Sequence, residues 1–231
     1  MKPSSNDSPN TSRNTSDPVR EYKVWELKRH ADDLLAATSP SGHVIPVEIE
    51  NVAYHLTLDI APIPGLRQTR DVLGALYRDA QGKYWIAVDE HMMDYHANQY
   101  RFTVAEEIAH FVLHRRQIEE AKDIAGAIAL QRRMKGRYRF TESNARRLAA
   151  EMLMPQMNLR KDLPVAYAEV VNIAGFHNVE AVVKQVTDIL RRRYEVSHDA
   201  MRYQLSTHEF HAYEAMQEAC RRQSGKLWLE E

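Results

Sequence analysis

The sequence predicts a mostly helical α+β fold, in which a small antiparallel sheet packs beside one central helix. Segments of β type cluster between Leu56 and Val88, and the rest of the chain shows mainly helical spacing of apolar residues. The central helix is the segment 101–114, RFTVAEEIAHFVLH, whose apolar residues recur at steps of three and four. These observations place the sheet and this helix side by side in one domain.

The chain opens with a tail and two predicted helices. Residues 1–16 are mostly Ser, Asn, Pro and Thr, a composition that predicts disorder. Asp17 and Pro18 follow the pattern of an N-cap with proline at the first helical position, so a helix is predicted from Pro18 to the Ser-Pro-Ser-Gly of 39–42. A second helix is predicted to begin near Pro46.

Three extended segments come next. Residues 56–63 look extended and end in a Pro-Gly pair. Residues 72–77 and 84–88 are short, apolar and rich in β-forming side chains, and the Asp-Ala-Gln-Gly of 79–82 separates them. This spacing predicts a hairpin, and together the segments predict an antiparallel sheet of about three strands.

The rest of the chain is predicted to be helical, with two further loops. The segment 91–100 is rich in His, Met, Asp and Tyr and predicts a loop with exposed His91 and His96. The basic segment 134–140 predicts the second loop, after which Thr141 is a candidate N-cap. Helices are predicted over 117–133, 142–154, 166–173, 179–193, 197–205 and 207–222.

Composition excludes several classes of protein. A chain of 231 residues suits one domain with extensions, and its formal charge of -1 gives no global attraction to nucleic acid or membrane. The single cysteine, Cys220, excludes a disulfide within the chain and any cysteine-based zinc finger. No apolar run spans a bilayer, and the N-terminus lacks the apolar core of a signal peptide. These features indicate a cytoplasmic protein with no membrane partner.

The central helix carries the residues that point to chemistry. Glu106, His110 and His114 are four residues apart and share one face, and Glu107 lies beside the first of them. The spacing is that of the His-Glu-x-x-His metal motif, with glutamate in place of the first histidine. Taken alone, such an EExxH pattern is more often a solvated helix face than a metal site.

A metal-binding helix needs a further ligand from elsewhere, and Glu142 is the candidate. It begins the segment 141–155, TESNARRLAAEMLMP. The two segments together resemble the ImmA/IrrE family of metallopeptidases. In that family a segment like R-F-T-x-A-H-E-x-x-H precedes one like E-x-x-A-[ND]-x-F-A-A-x-L-L-M-P. The resemblance extends over about residues 40–206, with further similarity in 45–60, 74–88 and 190–205.

The resemblance implies roles for four residues by position. Glu107 matches the general base, His110 the second histidine ligand and Glu142 the carboxylate ligand, while Glu106 stands at the first ligand position. The expected site is therefore a metal held by Glu106, His110 and Glu142 beside the catalytic Glu107.

Two further positions depart from the family pattern. Arg146 stands where Asn or Asp is usual, and it is expected to pair with Glu142 one turn away. Leu148 stands where Phe is usual, which is a packing change. Both polar departures, at 106 and 146, fall on the metal site.

The exchange of imidazole for carboxylate alters the expected metal chemistry. Glu106 and Glu142 cancel the charge of a divalent ion, which becomes a weaker Lewis acid than zinc with two imidazoles. Harder ligands shift the preference from zinc toward manganese, magnesium or iron, or leave the site without metal. Without metal, Glu106, Glu107 and Glu142 repel one another, so at least one is expected to hold a proton.

A second ligand set remains open. His110 and His114 are themselves four residues apart and form an alternative pair, with Glu142 as the third ligand. Because Phe111 follows His110, this set has no adjacent general base and predicts a structural metal site.

The resemblance implies a domain organisation and a function. Residues 1–16 form the tail, 17–206 the metallopeptidase-like domain and 207–231 a C-terminal helical extension. The implied function is site-specific cleavage of a regulatory protein, such as a helix-turn-helix repressor. The alternative is a catalytically degenerate relative that binds a protein or nucleic acid.

Basic residues are frequent between Arg132 and Lys161 and again at 191–193. Such a surface is able to engage nucleic acid or an acidic partner. We favour helix faces balanced by acidic residues elsewhere, because the overall charge is near zero.

Overall fold

A computed structural model describes residues 20–39, 44–137, 139–207, 210–227 and 229, with the side chains of 134–137 and 139 left out. The predicted tail 1–16 and the predicted helix start at Asp17 and Pro18 lie outside the described residues. Within the described part, helices dominate and one three-stranded sheet is present, which confirms the mostly helical α+β class. The elements are α1 (Val24–Thr38), α2 (Ile49–His55), β1 (Leu58–Ile63), α3 (Leu66–Arg70), β2 (Gly74–Arg78), β3 (Tyr84–Asp89), α4 (Glu90–Tyr95), α5 (Ala97–Ile118), α6 (Ile124–Arg137), α7 (Arg139–Leu153), α8 (Gln156–Ala174), α9 (Val179–Tyr194), α10 (His198–Leu205) and α11 (Ala212–Arg221).

The sheet has the order β1-β3-β2 and mixed strand directions. The β2–β3 pair is the antiparallel hairpin that the sequence predicts, but β1 runs parallel to β3, so the prediction of a wholly antiparallel sheet is wrong. The reason lies in α3, which follows β1 and crosses the end of β3. Its Arg67 N–H donates to the carboxylate of Asp89 at 2.9 Å. The chain thus reaches the far edge as β2, and the hairpin returns β3 to the centre in the direction of β1.

The predicted loop at 91–100 is helical instead, since α4 and the start of α5 occupy it. The Asp89 carboxylate accepts the N–H of Met92 at 3.1 Å and thereby caps α4. Met92 is buried in the core. His91 lies on α4 and stacks against His96, with 5.5 Å between ring centroids.

Three other boundaries differ from the sequence-based ones. The described residues of the predicted loop 134–140 are helical, because α6 continues to Arg137 and α7 begins at Arg139. Thr141 is therefore inside α7 and is not its cap. The first helix begins only at Val24, where the carboxylate of Glu26 accepts the Lys23 N–H at 2.8 Å.

The main core is formed where α5 packs against α7, with the sheet on one side of α5. Ile108 on α5, Leu148 on α7 and Ile86 on β3 are fully buried there. The C-terminal segment packs on the same core through Phe210, Met216 and other side chains. This packing positions the predicted site, since Glu106 and His110 lie on α5 opposite Glu142 on α7.

A second, smaller cluster of buried residues lies between α6 and the sheet. Its members are mostly alanines: Leu66, Ala75, Ala87, Ala121, Ala127, Ile128 and Leu130. It is separate from the main core. None of the helices in the described ranges is long and apolar enough to cross a membrane.

Candidate metal and catalytic site

The predicted site residues on α5 point in two directions. Glu107 faces β2, whereas Glu106 and His110 contact α7. The regular helix is interrupted at His114, whose φ and ψ are -129° and 22°. The predicted segment 101–114 thus ends at this interruption, although α5 itself continues to Ile118.

The Glu107 carboxylate is buried against β2. It accepts a hydrogen bond from the Leu76 N–H, and the amide of Gln131 on α6 lies 3.4 Å from its Oε1. Gly74 makes this approach feasible, because a Cβ there would lie 3.2 Å from Glu107 Oε1 and 2.5 Å from Thr103 Cγ2. The proposed base is therefore held in a narrow slot between α5 and the sheet edge.

Burial, and then the nearby Glu106 and Glu142 carboxylates, raise the pKa of Glu107 to about 8. The hydrogen bonds from Gln131 and Leu76 act in the opposite direction. At neutral pH the carboxyl group thus carries a proton in the metal-free protein. This agrees with the expectation that one of the three clustered glutamates would hold a proton.

The His110 ring is oriented from both sides. Its Nδ1 lies 3.1 Å from His114 Nδ1, and its Nε2 lies 3.8 Å from Glu142 Oε1. Burial lowers the pKa of His110 to about 4, with a contribution from Arg146, and burial with the neighbouring His110 lowers the pKa of His114 to about 3. Both rings are therefore neutral at neutral pH, and the Nδ1 of one ring donates a hydrogen bond to the Nδ1 of the other. The Nε2 of His110 points to α7.

Glu106 is engaged by a cation. The Nε of Arg146 donates to Glu106 Oε1 at 3.1 Å, across the α5–α7 interface. The expected pairing of Arg146 with Glu142 is therefore wrong, because the two helices bring Glu106 nearer than the residue one turn along α7. The two polar departures from the family pattern thus bond to each other.

The residues present fit a divalent metal in part. His110 and Glu142 bring imidazole and carboxylate donors together from two helices, which are suitable ligand types for zinc. Over the described ranges, however, no three His, Cys, Asp or Glu side chains converge on one point. Glu106 becomes available only if it leaves Arg146. The Glu106, His110 and Glu142 set stays a prediction, as does the alternative with His114.

Two surface cavities adjoin the Glu106–Arg146 pair. One, of about 670 Å³, includes Tyr95, His96 and Glu106 in its wall. The other, of about 940 Å³, includes Glu142 and Tyr203. They share Phe102 and Arg146 in their walls, and we refer to the two neighbouring cavities together as the groove.

Sequence reasoning did not identify Gln131 as part of this site. It lies 24 residues beyond Glu107 in a helix with no motif, so only the packing of α6 on β2 reveals the contact. Gly74 was the one available signal, because a glycine at the start of a strand indicates close approach of another group.

The basic segments contribute mainly to bonds within the fold. Arg132 donates to the Arg70 carbonyl, Arg133 pairs with Glu120, and Arg146 with Glu106. At 191–193, Arg191 pairs with Asp188 and Arg193 with Asp162. These pairs support the interpretation of balanced helix faces over a nucleic-acid surface.

Comparison with known proteins adds one finding. The family described as IrrE N-terminal-like domain, Peptidase_M78, matches residues 68–206. The match runs from α3 through α10 and includes Glu106, Glu107, His110 and Glu142. No curated protein shows a significant match to the chain.

Proposed function

This chain belongs to the IrrE N-terminal-like domain family of metallopeptidases, and from that premise we propose that it is a metal-dependent endopeptidase with an altered metal site. Its proposed substrate is a regulatory protein such as a helix-turn-helix repressor. A protein substrate is what the peptidase family implies. The repressor is the narrower part of the proposal and rests on the resemblance of the two sequence motifs.

The convergence of His110 and Glu142 beside Glu107 carries this proposal. Their Nε2 and Oε1 atoms are 3.8 Å apart, although the residues come from different helices. The His110–His114 contact orients the ring so that Nε2 is directed at Glu142 on α7. Such orientation of a ligand imidazole through its second nitrogen is usual in metal sites.

The proposed roles follow from these contacts. When bound to His110 and Glu142, a divalent metal would polarise a peptide carbonyl and acidify water. Glu106 is the proposed third ligand after its release from Arg146. Glu107 accepts a proton at its carboxylate and passes it to the leaving amine. Since its carboxyl group is protonated at neutral pH in the metal-free protein, Glu107 acts as a base only when positive charge lies nearby.

One observation favours a second candidate function, a binding module without peptidase activity. The Arg146 guanidinium supplies positive charge to Glu106 where the family has a metal ligand. An ion pair of this kind stabilises the α5–α7 arrangement without a metal. In this case the groove binds a regulatory protein and leaves it intact.

The two functions are separated by one assay. The full chain is incubated with a helix-turn-helix repressor encoded beside its own gene, in separate reactions with zinc, manganese, magnesium or ferrous salts. The proposal predicts defined fragments by mass spectrometry with at least one metal, and their loss in Glu107→Gln. This variant is a matched control, because glutamine keeps the shape of the side chain and its amide oxygen still accepts the Leu76 N–H, but it does not act as a base. Binding without fragments under every metal would favour the second candidate.

A further inference from the structure

The outer edge of β2 presents backbone groups that none of the three described strands pairs. In the antiparallel β2–β3 pair, Gly74 lies opposite Val88, and the Asp89 N–H donates to the Leu73 carbonyl at 3.0 Å. Because hydrogen-bonded and non-hydrogen-bonded positions alternate, the backbone groups of Gly74, Leu76 and Arg78 point away from β3. An edge of this kind ordinarily has to be covered or paired.

Groups from within the chain occupy this edge. The Gln131 amide donates to the Gly74 carbonyl at 3.2 Å, and the Arg78 N–H donates to the Ala121 carbonyl at 3.0 Å. Between them, the Leu76 N–H donates to the Glu107 carboxylate. Gln131 also approaches Glu107 Oε1, so a single side chain of α6 bridges the strand edge and the proposed base.

Gln131 and the edge of β2 leave little solvent access to Glu107. The residue is only 5 % exposed, although it stands beside Glu106 and near Glu142, which are partly exposed. A general base must come within hydrogen-bond reach of the proton that it abstracts. With α6 in place, the Glu107 carboxylate meets the sheet edge and Gln131 instead.

Helix α6 is held by contacts that can open separately from the rest of the fold. Among the side chains of α6 that the structure describes, the buried ones are Ala127, Ile128 and Leu130, and they belong to the small alanine-rich cluster and not to the main core. Besides Gln131, two polar anchors of α6, from Arg132 to the Arg70 carbonyl and from Arg133 to Glu120, are exposed. Segments with few buried apolar contacts and exposed polar anchors open locally at low free energy.

We propose that α6 is a displaceable cover over Glu107, with Gln131 as the positioning residue that ties this carboxylate to β2. Glu107 reaches a substrate only after α6 separates from the β2 edge. The regulatory role of the cover rests on the proposed function, because it assumes that Glu107 is the base. The physical cover itself is tested without reference to any activity.

Carboxyl labelling with a carbodiimide and an amine, read by mass spectrometry, measures access to Glu107 in the full chain. In the unmodified protein Glu107 is expected to react more slowly than Glu142. Gln131→Ala is expected to raise the Glu107 rate about two- to tenfold, the effect of one net hydrogen bond, and to leave Glu142 unchanged. Gln68→Ala makes the same substitution on the exposed surface of α3 and should leave the Glu107 rate unchanged.

Hydrogen exchange supplies a second readout. In the unmodified protein, amides of 124–137 are expected to exchange faster than those of α9. Ile128→Ala, which removes a buried contact of α6, should accelerate α6 exchange and Glu107 labelling together, with α9 unchanged.

Two results would overturn the proposal. One is α6 exchange as slow as that of α9, which would make α6 part of the rigid core. The other is a constant Glu107 labelling rate in Gln131→Ala and Ile128→Ala while α6 exchange accelerates, which would assign the shielding to another element. Neither readout needs metal or cleavage, so failure of the peptidase assay would refute the proposed function and leave the cover to be judged on its own measurements.

Discussion

The ion pair between Glu106 and Arg146 predicts how zinc affinity responds to substitution at both positions. The perturbations are Glu106→His, Arg146→Asn and the two combined. Glu106→His supplies an imidazole and removes one negative charge from the ligand set. Arg146→Asn removes the cation that competes with a metal for Glu106.

The magnitudes follow from the geometry of the pair. The Arg146 side chain is 68 % exposed, so its bond to Glu106 contributes no more than about 1 kcal/mol. Arg146→Asn alone should therefore raise zinc affinity by about fivefold at most. Glu106→His should strengthen zinc binding by on the order of 2 kcal/mol, or about thirtyfold in affinity, if His110 and Glu142 already have the positions of metal ligands. The double variant should bind zinc most tightly. In Glu106→His alone, Arg146 has lost the Glu106 carboxylate and its positive charge repels the bound metal.

Zinc titration calorimetry with a competing chelator measures all four proteins. Arg147→Asn is the matched control, since it makes the same charge change one residue further along α7. It should leave zinc affinity nearly unchanged. Equal zinc affinity in all variants would show that the Glu106–Arg146 pair does not compete with the metal. Weaker zinc binding in Arg146→Asn would show instead that Arg146 supports the metal.

Two further predictions concern stability. Gly74→Ala should lower the free energy of unfolding in urea by about 1–3 kcal/mol, because its Cβ would lie 2.5 Å from Thr103 Cγ2, whereas Gly225→Ala, with nothing within 4 Å, should have little effect. An unchanged midpoint in Gly74→Ala would contradict the tight slot. His114 binds a proton below about pH 6.5 in the unfolded chain but only near pH 3 in the folded one, so its neutral burial lowers stability as pH falls from 6.5. Between pH 6.5 and 5, the free energy of unfolding of His114→Gln should therefore fall by about 2 kcal/mol less than that of the unmodified protein. An equal fall in both proteins would contradict the burial of His114.

The sequence identified the elements that carry repeated local patterns. The apolar spacing of 101–114 predicts a helix, and the same spacing places Glu106 and His110 on one face toward a partner. The segment at 141–155 predicts that partner, and the structure joins the two through His110 and Glu142. Local periodicity sufficed to predict both helices, although α5 is buried around most of its circumference.

Features that depend on distant contacts were not predictable in this way. The polar composition of 91–100 suggested a loop, but the Asp89 cap and the burial of Met92 make it helical. The direction of β1 depends on where α3 crosses the sheet. Likewise, whether Arg146 pairs with Glu106 or with Glu142 depends on how α5 and α7 are rotated against each other. No local sequence pattern indicates this rotation.

Anomalous diffraction at the zinc edge shows whether His110 and Glu142 bind one metal ion together. Crystals of the unmodified full chain are grown with saturating zinc, and the anomalous peak is located. A peak is expected within about 2.1 Å of both His110 Nε2 and a Glu142 carboxylate oxygen. Absence of a peak between these two side chains, with the Glu106–Arg146 pair intact at saturating zinc, would contradict this expectation.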